Sequence, residues 1–135
     1  MSRSIGKGEA SSRQDSAARA PGRPSAGAAG LIARIWRGRT CASVADEYTS
    51  YLYEEGVRAI AKVPGNRGVQ MLREVGDDFA DFQVLSYWDS FEAIKRFAGD
   101  DYKKVRHLPD DSKYMTGAAP TVRHFEVVVN DWPQR

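Results

Sequence analysis

The stretch from Phe82 to Gly99 constrains the fold of this chain more than any other part of the sequence. It begins with residues of alternating character, the pattern of a β-strand, and this pattern stops at Trp88. Asp89 can then act as a helix N-cap, with Glu92 three residues later as in a capping box. The residues that follow at helical spacing are Phe91, Ile94, Phe97 and Ala98. The stretch therefore predicts a strand that leads through a tight corner into a short amphipathic helix, which Gly99 ends.

The rest of the chain alternates between strand and helix patterns. The predicted elements, in order, are a strand over 31–37 closed by Gly38, a helix over 42–62, a strand over 68–75, a turn at 76–78, a strand over 79–88, the capped helix, a short helix from Asp100 or Asp101 to Leu108, a loop over 109–120 and a strand over 121–129. This β-α-β-β-α-β order predicts an α+β protomer with the ferredoxin-like topology.

Residues 1–30 differ in composition from the rest of the chain. They are rich in Ser, Ala, Gly, Arg and Pro and contain no aromatic residue. Such a segment buries too little apolar surface to offset its ordering entropy, so we expect a disordered tail before a single domain over 31–135. A contact arm and a targeting segment are the alternatives for this tail.

Charge and cysteine content limit the partners that we expect. The whole chain carries a net charge of +2 and its first 30 residues carry +3, so the expected domain is close to neutral and no nucleic-acid-binding face is expected. No apolar run is long enough to span a membrane, so no membrane partner is expected either. Because Cys41 is the sole cysteine, it cannot form an internal disulfide, and a cytoplasmic location is expected.

Both faces of the predicted sheet carry apolar side chains. In the strand over 79–88, Leu85 and Tyr87 point opposite to Val84 and Trp88. Two helices can cover only one face of a four-stranded sheet, and the chain has no third layer for the other. We therefore expect a homodimer in which the two protomers pack sheet against sheet.

These features resemble the antibiotic-biosynthesis-monooxygenase family of dimeric α+β barrels. The resemblance rests on the element order, on the Val-Leu-Ser-Tyr-Trp-Asp-Ser-Phe-Glu-Ala-Ile segment at 84–94 and on the closing Arg-His-Phe-Glu-Val strand at 123–127, and it covers residues 31–129. It implies a pocket between the sheet and its helices. It also implies a cofactor-independent oxygenase acting on an aromatic or polycyclic small molecule, with no metal or flavin. The alternatives are a haem-binding or haem-degrading protein and a non-catalytic ligand-binding barrel.

The haem-degrading branch of the family implies its own residue pattern. An iron-ligating histidine nineteen residues after the strand-end tryptophan corresponds here to His107. A second tryptophan of that branch, nine residues after the first, is replaced by Phe97, and its first-strand asparagine by Ala33 or Arg34. The haem alternative therefore matches at one position of three.

The candidate site residues have structural alternatives as well as functional ones. His107 is a candidate base or iron ligand, or else an exposed histidine at a helix end. Arg34 or Arg37 is a candidate for holding an anionic oxygen. The candidate pocket walls, which can equally be core, are Trp36, Tyr48, Trp88 and Phe97. For His124 a structural position at the dimer interface is expected.

Overall fold

The structure is a computed structural model that describes residues 30–133, so the predicted tail lies outside the described residues except for Gly30. The strands are β1 (Ile32–Cys41), β2 (Asn66–Val75), β3 (Phe79–Trp88) and β4 (Thr121–Glu126). The α-helices are α1 (Ala45–Leu52), α2 (Arg58–Ala61), α3 (Phe91–Ala98) and α4 (Asp111–Tyr114). All of them belong to one unit, Leu31–Glu126. Residues 127–133, in the other unit, form no helix or strand.

The four strands form one antiparallel sheet in the order β2-β3-β1-β4. Strands β1 and β3 pair along their full length, from Ile32 opposite Trp88 to Cys41 opposite Phe79. This order places the first and third strands at the centre, as the ferredoxin-like topology requires, so the α+β prediction is confirmed.

One face of the sheet is covered by the helices and holds the core. On β3 this face carries five buried residues, namely Ala80, Phe82, Val84, Ser86 and Trp88. Ile32, Arg34 and Thr40 of β1 are buried on the same face. The alternation of β3 in the sequence thus corresponds to alternation between the core face and the other face of the sheet.

The helical segment between β1 and β2 is interrupted by a π turn. A short 3₁₀ turn (Ala42–Val44) leads into α1, and a π-helical turn (Tyr53–Val57) then joins α1 to α2. Gly56, within the π turn, is buried. A Cβ atom at Gly56 would lie 3.3 Å from a methyl group of Leu52, so the glycine permits close packing here. The predicted helix over 42–62 is thus present, but it is not a continuous α-helix.

Strand β1 continues through Gly38, where the sequence predicted its end. The indole of Trp36 lies over this glycine, and a Cβ atom at Gly38 would lie 2.5 Å from Cη2 of Trp36. Gly38 therefore makes room for the ring and does not break the strand. Strand β4, by contrast, ends at Glu126 and not at Val129.

The N-cap of α3 is Ser90, and the prediction of Asp89 was wrong. The Ser90 hydroxyl accepts a hydrogen bond from the backbone N–H of Ala93 at 3.1 Å. The helix begins at Phe91, so Glu92 lies one position too early for a capping box with Ser90. Asp89 instead forms an exposed ion pair with Arg67.

The short helix predicted from Asp100 or Asp101 to Leu108 is absent. Residues 100–110 form turns and coil, and the helical turn α4 lies at Asp111–Tyr114, within the predicted loop. No helix among residues 30–133 is long and apolar enough to cross a membrane.

Candidate active site

A cavity of about 40 Å³ lies between the helix-covered face of the sheet, the helical segment around the π turn and the coil before α4. Its apolar lining consists of Trp36, Leu52, Gly56, Ile60, Val84, Phe97 and Leu108. Its polar lining consists of Arg34, Ser86, Arg106 and Asp111. Mostly apolar walls with a few polar groups are typical of sites that bind small molecules.

Arg34 supplies a buried positive charge to this cavity. It lies on β1 and is 4% exposed. Its Nη1 donates to the carbonyl oxygen of Tyr102 at 2.6 Å and lies 3.0 Å from Nε2 of His124. Burial, with a smaller contribution from the positive charge of Arg106, lowers the pKa of Arg34 to about 10. The guanidinium therefore remains charged at neutral pH.

This charge has no anionic partner among the residues that the structure describes. The ion pairs formed within residues 30–133 all involve other cations. The wall of the cavity therefore presents a buried cation to whatever enters it, because both acceptors of Arg34 are neutral.

A second guanidinium, that of Arg106, also lines the cavity. Arg106 comes from the coil before α4, and its Cζ lies 4.6 Å from the centre of the Phe97 ring. The Cζ of Arg34 lies 5.8 Å from the same ring centre. Both contacts are within the range of cation–π interactions. Phe97 therefore brings two like charges to one cavity, where they favour a negative charge.

Asp111 is the carboxylate of the cavity wall. Its residue is 3% exposed, and its Oδ2 accepts a hydrogen bond from the backbone N–H of Leu108 at 2.9 Å. Its Oδ1 accepts one from the hydroxyl of Tyr48 at 2.9 Å. Burial and the charge of Asp111 raise the pKa of Tyr48, so this hydroxyl stays protonated and continues to donate. Tyr48 itself is fully buried behind the wall and positions Asp111.

Trp88 is also fully buried and does not line the cavity. Its Nε1 donates to Oγ of Ser86 at 2.8 Å, and Ser86 is the residue that reaches the cavity wall. The indole stacks against Phe97, with ring centres 6.1 Å apart. Trp88 therefore supports two residues of the cavity wall from the core.

His107 is exposed and lies in coil, between two residues that line the cavity. It is not part of the lining itself. Within residues 30–133 no three side chains of the metal-binding types lie together as a metal site would need. Of the predicted site residues, the structure thus brings Arg34, Trp36 and Phe97 together at the cavity, with Tyr48 and Trp88 behind it and His107 outside.

His124 lies on the helix-covered face of the sheet, so its predicted position at a sheet-to-sheet interface was wrong. Strand β4 pairs with β1 in a register that places His124 directly opposite Arg34. The imidazole packs edge to face on Tyr102, with ring centres 5.1 Å apart. Its hydrogen bond runs across the strand pair to Arg34.

Asp111 and Arg106 were not identified from the sequence as site residues, and His124 was expected at a different place. The sequence could predict in part which residues share a sheet face with His124, because residues at alternate positions of β4 lie on the same face. Asp111 and Arg106 lie outside regular strand patterns, and only contacts with distant residues bring them to the cavity. No local signal could have identified them.

Comparison with solved structures shows that other proteins share this fold. A candidate antibiotic biosynthesis monooxygenase from Caulobacter crescentus is 22% identical, with a TM-score of 0.56, over 74% of this chain and 92% of that one. SnoaB, a cofactor-independent oxygenase from Streptomyces nogalater, is 18% identical, with a TM-score of 0.55, over 76% and 98%. The heme degrader MhuD from Mycobacterium tuberculosis, with two hemes bound in its active site, is 25% identical, with a TM-score of 0.52, over 73% and 97%.

No protein-family model matches the sequence, and no curated protein matches it. The structural similarities confirm, at the level of the fold, the resemblance that the sequence indicated.

Proposed function

We propose that this chain is a member of the antibiotic-biosynthesis-monooxygenase family and a cofactor-independent monooxygenase of an aromatic or polycyclic small molecule. The similarity of its fold to SnoaB supports the family. The observation that carries the activity is the buried guanidinium of Arg34 in an apolar, aromatic-walled cavity without a carboxylate partner. Such a site favours the ionised form of a phenol or enol.

Ionisation of the substrate is the step that this chemistry requires of the protein. The carbanion or phenolate form of an anthrone-like phenol can itself reduce O₂. A CH₂ group becomes C=O, and its two hydrogens leave with the second oxygen atom as water, so no external reductant is consumed. Arg34 and Arg106 stabilise the anion, which lowers the pKa of the bound substrate. The carboxylate of Asp111 is the group at the wall that can accept the proton.

The cavity must widen before such a substrate binds. A cavity needs a volume of roughly 10–15 Å³ to hold one water molecule. A cavity of about 40 Å³ therefore holds a few waters and no polycyclic ligand. Residues 99–110 contain no helix or strand and contribute Arg106 and Leu108 to the wall. We propose that outward movement of this segment admits the substrate.

Haem degradation is the second candidate, and the similarity to MhuD favours it. In the arrangement described, His107 is exposed outside the cavity, and Nε2 of His124 is bonded to Arg34. Neither imidazole is presented to the cavity, so these residues do not fit an iron-ligating site in this arrangement. Titration with hemin tests the haem candidate. A Soret shift that disappears in His107→Ala would establish a haem site at this residue.

We further propose a homodimer packed through the face of the sheet that the helices leave uncovered. This face carries Leu72, Phe79 and Phe125, each at least 40% exposed. Exposed apolar side chains on one sheet face are typical of an interface, and a second copy of the chain could cover them. The exposed free thiol of Cys41 supports the proposed cytoplasmic location.

Oxygen uptake with quinols and anthrone-like phenols tests the activity. We expect consumption of O₂ by the purified protein in the absence of added metal or flavin, and at least a tenfold loss in Arg34→Gln, of order 1.4 kcal/mol. Arg58→Gln, which changes an exposed arginine on α2, is the matched control and should leave the rate unchanged. Binding of these phenols without oxygen uptake would favour a non-catalytic ligand-binding barrel.

A further inference from the structure

The hydrogen bond between Arg34 and His124 defines the state of the imidazole. A guanidinium has only donors, so Nε2 of His124 must accept from Nη1 of Arg34. The ring is therefore neutral, and its proton resides on Nδ1. A protonated imidazole in this position would place two cations and two donors against each other.

A buried arginine is ordinarily balanced by a carboxylate. At this position of β4, opposite Arg34, the chain has a histidine instead. The other acceptor, the carbonyl oxygen of Tyr102, is also neutral. Arg34 is thus held in place by two hydrogen bonds that leave its charge uncompensated.

The charged groups around Arg34 and His124 do not neutralise the positive charge of Arg34. Burial is the main cause that lowers the pKa of Arg34 and of His124, with a smaller contribution from Arg106 for Arg34, and from Arg34 and then Lys103 for His124. Glu126, two residues along β4, is exposed. The carboxylate of Asp111 lies in the cavity wall but forms no ion pair with Arg34. The charge of the site is therefore open to a ligand.

We propose that His124 is a positioning residue that holds Arg34 as an uncompensated cation, and that it thereby makes the site selective for flat aromatic ligands carrying an anionic oxygen, a carboxylate or an ionised phenol. This inference rests on the proposed small-ligand site, and it does not depend on reaction with oxygen.

Binding of matched anionic and neutral probes tests the proposal. We would measure dissociation constants for benzoate and 2-naphthoate, and for benzamide and 2-naphthamide, by calorimetry without any oxygenation assay. We expect each carboxylate to bind the unmodified protein at least about tenfold more tightly than its amide. Equal binding of acid and amide, or no binding of either acid, would overturn the proposal. Oxygen uptake is measured separately, so loss of the anion preference and loss of activity are distinguishable.

Three substitutions separate positioning from simple packing. His124→Gln keeps a neutral acceptor and should keep the preference for the acid. His124→Glu supplies a carboxylate to Arg34, so it should remove the preference for the acid while leaving amide binding within about twofold. His124→Leu removes the acceptor and should weaken binding of the acid without creating an ion pair. An unchanged preference for the acid in a folded His124→Glu would overturn the proposal.

Nitrogen NMR of the unmodified protein provides a further test that measures no ligand binding. The chain contains two histidines, and His124→Gln assigns their signals. We expect His124 to be a neutral Nδ1–H tautomer at pH 7. An Nε2–H tautomer or a charged ring would contradict the geometry on which the proposal rests.

Discussion

The hydroxyl of Tyr48 acts on the candidate site through Asp111. It supplies one of the two hydrogen bonds that the carboxylate of Asp111 accepts, the other coming from the backbone N–H of Leu108. In Tyr48→Phe the buried carboxylate would keep a single partner, so we expect a loss of about 1–3 kcal/mol in the free energy of unfolding. Urea denaturation measures this loss. Tyr53→Phe, at a residue that is 47% exposed, should change the stability by less than about 0.5 kcal/mol.

The neutral state of His124 makes stability depend on pH in a defined direction. Burial, together with the charges of Arg34 and Lys103, lowers its pKa from 6.5 to about 4. Between these two values the unfolded chain binds more protons than the folded one. The contribution of this group to stability is therefore complete above about pH 6.5 and is lost as the pH falls towards 4.

We expect the unmodified protein to lose about 1–2 kcal/mol more than His124→Gln between pH 7 and pH 4, a value reduced for the partial exposure of the ring. Urea unfolding of both proteins at the two pH values provides the measurement. Subtracting the loss of His124→Gln from that of the unmodified protein removes the contribution of carboxylates that both proteins share. One of them is Asp81, whose pKa is lowered by its hydrogen bond with Arg39. Equal losses in the two proteins would show that His124 is not buried as a neutral ring.

The residues of the site were partly predictable from the sequence. Arg34 and Phe97 lie on elements whose patterns are local, so their approximate faces could be inferred. The contact between Arg34 and His124 joins residues 90 positions apart and depends on the register of β4 against β1. A shift of one residue would turn His124 to the other face, and nothing in the local sequence fixes that register.

At the level of elements, the cap of α3 provides a direct comparison between two adjacent residues. Ser90 accepts the backbone hydrogen bond from Ala93, whereas Asp89 forms an exposed ion pair with Arg67. We expect Ser90→Ala to lower the free energy of unfolding by about 1 kcal/mol. Asp89→Ala should lower it by less than about 0.5 kcal/mol, since exposed ion pairs contribute little. Denaturant unfolding of the two variants measures which one loses more stability. A larger loss in Asp89→Ala would contradict the assignment of Ser90 as the N-cap.

Elements with strong local signals were predicted well. The bounds of β3, Phe79–Trp88, agree with the sequence because its alternation is regular and a turn precedes it. Helix α4 was missed because its position depends on Asp111, whose carboxylate bonds the backbone of Leu108 and the hydroxyl of Tyr48, 63 residues away. A contact between residues so far apart produces no local periodicity in the sequence from which a helix could be predicted.

For the whole molecule, the uncovered face of the sheet leads to a prediction about assembly. Leu72 on β2 is 46% exposed on this face. In Leu72→Glu a dimer would bury two carboxylates without partners, so we expect its dissociation constant to rise by at least about 100-fold. Analytical ultracentrifugation would then show a species of half the mass, with an unchanged circular dichroism spectrum. Tyr53→Glu, on the helical side, should leave the dimer intact. A monomeric unmodified protein would refute the proposed dimer.

The π turn at Tyr53–Val57 has a consequence for how this protein can diverge in evolution. A π turn contains one residue more than an α-helical turn, and here it contributes Gly56 to the cavity wall. We expect insertion or deletion of a single residue at this point to change the depth of the cavity while the four strands keep their pairing. The range of ligands that the proposed site accepts can therefore change with the chain length of this helical segment, independently of the sheet that defines the fold.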